Sequence, residues 1–200
     1  MMPEGTREMR SDLTIGKSRI RLIQGDITML DLDAFVFYAR RDLVLGSGFG
    51  TAIAVRGGPA VQEELRALGT IDAGEAVVTT AGNLAARHIV HVVGPRFQEP
   101  DLEAKLEAAV RRALQVAEAR GIRTLAFPAM GAGFYGVPLD LSARVALAVA
   151  RAYLAAGSRV EEVVFCLLDR REYDAHATAL GALAGSPDGA GPSVAGRGAA

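Results

Sequence analysis

Short apolar runs alternate with longer stretches in which apolar residues recur every three or four positions. Residues 19–24, 33–38, 75–80, 88–93, 124–127 and 162–168 read as strands, and residues 51–68, 101–120, 139–156 and about 173–183 as helices. In the helix over 101–120, Leu102, Leu106, Ala109, Val110, Ala113 and Leu114 share one face. Asp101 stands at the expected N-cap and Gly121 at the expected stop. Interleaved strands and helices predict an α/β sandwich with a largely parallel sheet covered on both faces. Pro128 predicts the end of its strand, because proline cannot donate to a ladder. Residues 1–18 are polar and aperiodic, and residues 185–200 are rich in Gly, Ala, Pro and Ser, so both ends read as flexible.

Composition narrows this picture. The chain has 200 residues, half of them hydrophobic and 22% charged, which suits one well-cored domain. Its net charge of −1 gives no general basic footprint, so nucleic acid is not an expected partner. Cys166 is the single cysteine and the three histidines are scattered, so no disulfide, metal site or bound cofactor is expected. His88 and His91 fall within an apolar strand and read as structural groups, and His176 lies in the terminal helix. No run reaches membrane-spanning length and no secretory h-region opens the chain, which points to a cytoplasmic protein without membrane partners.

The candidate chemistry lies in two glycine-rich loops, GSGFG at 46–50 and GAGFYG at 131–136. Glycines let backbone amides approach an anion where a Cβ would intrude. The second loop satisfies G-x-G-x-x-G after a strand, which suggests an NAD-dependent oxidoreductase. Its surroundings argue otherwise: Pro138 separates the loop from its helix, and no acidic residue follows about twenty positions on. The first loop lacks the G-K-[ST] of a P-loop.

With their neighbours, the loops form an ordered set: GDIT at 25–28, DAFV at 33–36, GSGFGTAI at 46–53, GEAVVTTAGNL at 74–84, HVVGP at 91–95 and AFPAMGAGFYGVP at 126–138. This set resembles the macro domain family over about residues 19–182, between a flexible segment 1–18 and a Gly/Ala-rich tail 183–200. The resemblance implies a three-layer α/β/α sandwich with a mixed, largely parallel sheet of six or seven strands, and ADP-ribose or a related nucleotide as ligand. It implies that Asp26 accepts from the adenine amine, with Ile27 beside it. It also implies that Gly46, Ser47, Gly48, Phe49 and Gly50 meet the diphosphate and distal ribose at a helix N-terminus. By the same resemblance, Gly131, Ala132, Gly133, Phe134, Tyr135 and Gly136 are expected to form the second phosphate loop, with Tyr135 over the distal ribose. The alternative reading of Phe134 and Tyr135 is as ordinary core aromatics. The resemblance further implies that Asp169 and Tyr173 flank adenine.

Departures from the pattern bear on activity. Many relatives carry N-A-A-N where this chain has FYAR at 37–40, so Arg40 replaces an asparagine that reaches the distal ribose. Gly50 stands where hydrolases of one branch place an aspartate, the lysine of another branch is not evident in the loop, and Gly131 often has a serine counterpart. The expected function is therefore recognition of ADP-ribose or of ADP-ribosylated or acylated derivatives, including ADP-ribosylated proteins. The alternative is a divergent ADP-ribosyl hydrolase or O-acyl-ADP-ribose deacylase.

Overall fold

A computed structural model describes residues 11–46 and 48–185. Seven strands, β1 (Asp12–Ile15), β2 (Ser18–Gln24), β3 (Ala34–Tyr38), β4 (Ala76–Thr80), β5 (His88–Val92), β6 (Thr124–Phe127) and β7 (Glu162–Leu167), form one sheet in the order β1-β2-β7-β6-β3-β5-β4. Its central five strands, from β2 to β5, are parallel, and β1 and β4 add antiparallel edges. Helices α1 (Phe49–Gly57) and α2 (Pro59–Leu68) cover one face. On the other lie α3 (Leu102–Ala119), α4 (Leu139–Ala155) and α5 (Arg170–Gly185). No described helix is long and apolar enough to cross a membrane.

Burial on both faces explains why β3 is apolar throughout. Ala34, Val36 and Tyr38 join the core under α3 to α5, whereas Phe35 and Phe37 join the core under α1 and α2. Phe127 stacks on Phe165 with ring centroids 5.6 Å apart, and both are fully buried. Each such aromatic contributes about 1.5–3 kcal/mol through removal from water.

Three local expectations differ from the structure. Residues 12–15, expected within the flexible N-terminal segment, form β1. Leu13 and Ile15 alternate inward against the core, and Gly16, with φ +57°, turns the chain back into β2. The single helix expected over 51–68 is two helices, because Gly58 has φ +80° and Pro59 opens α2. Asp101 precedes α3 but is left-handed, at φ +57°, and its carboxylate makes no cap bond. A side-chain N-cap needs an extended residue to aim its oxygen at the first-turn amides. Pro128 does lie just beyond the end of β6.

Candidate functional site

The loops read as candidates gather at the carboxyl ends of the parallel strands. β3 and β6 are neighbours, yet β3 leads to α1 on one face of the sheet and β6 leads to α4 on the other. Such a reversal opens a crevice above the strand ends, where open α/β sheets bind ligands. The loop at 46–50 forms one wall and the loop at 131–136 the other.

The last two residues of β3 support one wall each. Phe37 faces the α1 side, where a Cβ on Gly50 would lie 3.2 Å from its ring tip. Phe49 packs edge-on against it at 5.3 Å, and His91 does so from the next strand at 5.8 Å. Tyr38 faces the opposite side, where a Cβ on Gly131 would lie 3.1 Å from Cζ, and Tyr135 packs against it at 4.7 Å. The Tyr38 hydroxyl donates to the Pro95 carbonyl, and burial pushes its pKa well above the usual phenol value. Aromatic rings thus stand where many relatives carry small or amide side chains, and they fix both loops from below.

In the first wall, Gly48 takes φ +62° and precedes α1. Ala52 is the first residue to bond within the helix, its amide donating to the Gly48 carbonyl at 3.2 Å. Among the described residues, the amides of Phe49, Gly50 and Thr51 therefore have no acceptor, and the helix dipole makes this end attractive to an anion. Thr51 Oγ1 closes the loop by donating to Gly46 O at 2.6 Å. Ser47 lies outside the described residues. Restoring an acid here collides with the new support: Gly50→Asp is expected to cost about 1–2 kcal/mol of stability by overpacking against Phe37. Urea unfolding measures this, and an unchanged midpoint would show that Phe37 yields freely.

In the second wall, Gly131 and Gly136 have φ +70° and +71°. Bonds from Val137 N to Gly131 O and from Gly136 N to Gly133 O, both 3.0 Å, close the loop on itself. Among the described residues, the amides of Gly133, Phe134 and Tyr135 find no acceptor. Ala132 N donates back to Ala129 O at 3.3 Å. Phe134 is 80% exposed at the tip, so it is no core residue, whereas Tyr135 is half-buried on Tyr38. Burial raises the Tyr135 pKa against the opposing pull of Arg96 and Arg40.

Asp26 begins a 3-10 turn over Ile27–Met29 at the end of β2. Its Oδ1 accepts from Thr28 N at 3.0 Å and from Thr28 Oγ1 at 2.7 Å, and its Oδ2 accepts from the Arg56 guanidinium. Burial alone would raise the carboxyl pKa, but the bonds from the Thr28 hydroxyl, Arg56 and the Thr28 amide outweigh it and hold the group below its ordinary value. Asp26 is thus an ionised acceptor near neutral pH. Ile27 is buried, and its amide, the first in the turn, has no acceptor within it.

Comparison with known proteins settles the family. The Macro domain family model matches residues 39–146. A macro domain-containing protein of Caldanaerobacter subterraneus is 38% identical over 169 residues, 82% of this chain and 96% of that protein. The chain belongs to the macro domain family. An O-acetyl-ADP-ribose deacetylase of Pantoea vagans is 35% identical across 78% of this macro domain and 95% of its own length. A mutant macrodomain of Oceanobacillus iheyensis solved with ADPR superposes with a TM-score of 0.84 at 27% identity, covering 88% of this chain and 98% of the other.

Several expected site residues have other partners in this macro domain. Arg40 points outward into an ion pair with Asp42, at 2.6 Å, and touches the cleft only through its field at Tyr135. Asp169 Oδ1 accepts from Glu172 N at 2.9 Å and so caps the first turn of α5. Tyr173 is half-buried and packs against the core. The exposed apolar groups near Asp26 are instead Met29, in the same turn, and Leu168, just beyond the β7 end that pairs with β2. Arg56 and Thr28 beside Asp26, Tyr38 against Gly131, and Leu168 just after β7 are not singled out by the sequence. Thr28 had a signal, since a hydroxyl two places after an aspartate favours a local turn; Arg56 reads only as a charge on a helix surface.

Among the described residues, neither the buried histidine behind Phe37 nor the cysteine beside Asp26 is poised as a base. Thr79 Oγ1 gives its proton to Thr80 O, so at 2.9 Å it accepts from His91 Nε2–H, and His91 is fully buried. Burial lowers the His91 pKa to about 3. The Cys166 thiol, donating to Gly25 O, is pushed up to about 11 by burial and by the nearby Asp26 and Glu172 charges. Among the described residues no cluster of three His, Cys, Asp or Glu side chains could hold a metal ion.

Proposed function

We propose that this macro domain binds ADP-ribose, free or attached to a modified protein, and acts as a reader rather than a hydrolase. The observation that carries this reading is the crevice between β3 and β6, walled by two loops that each offer unspent amides. A diphosphate fits between them because oriented amides and a helix N-terminus stabilise an anion without a charged side chain. Asp26, ionised and acceptor-only, suits an exocyclic amine and opposes a carbonyl at the same place. The Oceanobacillus iheyensis macrodomain solved with ADPR has the same fold, which supports this choice of ligand.

The Pantoea vagans relative favours a second reading, O-acyl-ADP-ribose deacylation. Against it stand Phe37 and Arg40. Phe37 occupies the space an acid at position 50 would need, and Arg40 is committed to Asp42. The deciding experiment pairs calorimetry with a turnover assay on acylated ADP-ribose and on an ADP-ribosylated protein. Saturable binding with little release of product is expected, whereas turnover at enzyme-like rates would establish the deacylase reading. Asp26→Ala is expected to weaken ADP-ribose binding by about 1.5–3 kcal/mol through loss of a charge-assisted hydrogen bond. Unchanged affinity would remove Asp26 from the adenine site.

A further inference from the structure

We propose that Arg56 and Asp26 read the base as a pair, the guanidinium donating to N7 of adenine while the carboxylate accepts from N6. The inference rests on the nucleotide reading above and adds a specificity-determining residue to it.

Asp26 does not stand alone. Thr28 occupies Oδ1 twice, through its amide and its hydroxyl, so Oδ2 is the oxygen left for a base. Arg56 Nη1 already lies on Oδ2 and on Thr28 Oγ1. Those two bonds use the protons of Nη1 and leave those on Nη2 and Nε, in the planar fork of a guanidinium, without an acceptor on Asp26 or Thr28. The two side chains are about equally open, with 45% and 40% of their surface exposed.

Geometry sets how a base meets them. A donor bound to a carboxylate oxygen lies near the carboxylate plane, so a base pairing with Oδ2 in that plane meets the guanidinium by its edge rather than its face. Adenine carries the N6 donor and the N7 acceptor side by side on one edge. An acceptor beside a donor is the complement of that edge. Guanine shows two acceptors there and meets the carboxylate unfavourably. Arg56 also offsets the repulsion between the Asp26 charge and an incoming diphosphate.

The test is calorimetric titration of ADP-ribose and of its 7-deaza-adenine analogue into the full chain and into Arg56→Met. The analogue keeps N6 and N1 and replaces N7 with a carbon that cannot accept. The wild type is expected to bind the analogue about tenfold more weakly, the worth of one charge-assisted hydrogen bond. Arg56→Met is expected to bind both ligands alike and to keep the wild-type melting temperature. Equal affinity of the wild type for the two ligands overturns the pair reading, and so does an N7 preference that survives in Arg56→Met. Tighter binding of ADP-ribose by Arg56→Met also overturns it, making Arg56 a competitor for Asp26. Absence of ADP-ribose binding by the wild type refutes the nucleotide reading itself, which separates that failure from the others.

Discussion

Gly94→Ala is expected to cost about 3 kcal/mol of folding free energy, combining overpacking with the loss of a buried hydroxyl's partner. An added Cβ would sit 2.2 Å from Tyr38 Oη and 2.3 Å from Cζ. Tyr38 cannot swing away cheaply, because Gly131 and Tyr135 lie against it and its hydroxyl donates to Pro95 O. Urea denaturation of Gly94→Ala, Tyr38→Ala and the double variant gives the coupling between the two positions. The double variant is expected to be more stable than the two separate losses would add to, by about 1–3 kcal/mol, since removing the ring makes room for the methyl. Strict additivity would mean that Tyr38 does not fill this space. The same variants bear on ligand binding, because the ring pressing on Gly94 also supports the second wall of the cleft.

Acid is expected to unfold the chain through its buried histidines. His91 and His176 are fully buried, and burial lowers their pKa values from 6.5 to about 3 and about 4. Both imidazoles are neutral when folded, and the unfolded chain binds protons that the folded chain refuses. Their stabilisation is complete above pH 6.5 and is lost as the pH falls toward 4. With two such groups the slope approaches about 2.7 kcal/mol per pH unit at around pH 5 and eases toward pH 4, where His176 begins to take up its proton in the folded chain. Asp26 and Asp33, whose pKa values are held below 3.8, add to the loss only at still lower pH. His91→Gln keeps a donor for Thr79 and removes one titrating group. Denaturation across pH 4–7 should then show the slope reduced by about half. A flat stability profile over that range would contradict the neutral, sealed state of both rings.

The α/β alternation, the strand ends and the two glycine loops were legible because each is written in local chemistry: apolar periodicity, proline and glycine. The pairing of walls was not, since it depends on which strands become neighbours. β3 and β6 are separated by some ninety residues in the register that joins Ala34 to Leu125. β1 had a readable signal in the alternation of Leu13 and Ile15 before Gly16, but so short a strand is defined by pairing with β2 rather than by its own pattern. The break at Gly58 was present in the Gly-Gly-Pro at 57–59 and lost to the stronger helical periodicity on either side. Replacement of N-A-A-N read from the sequence as lost amides. In three dimensions it is a gain of two supports, Phe37 and Tyr38, on opposite faces of one strand. Arg56 was illegible for a physical reason: its partner Asp26 is thirty residues away and meets it only after the helix packs.

A crystal structure of the chain with ADP-ribose tests the central claim most directly. Diphosphate oxygens are expected within about 3.2 Å of amides on both walls, among Phe49 to Thr51 and among Gly133 to Tyr135, with adenine at Asp26. A diphosphate held by one loop alone, or an adenine placed away from Asp26, would contradict it.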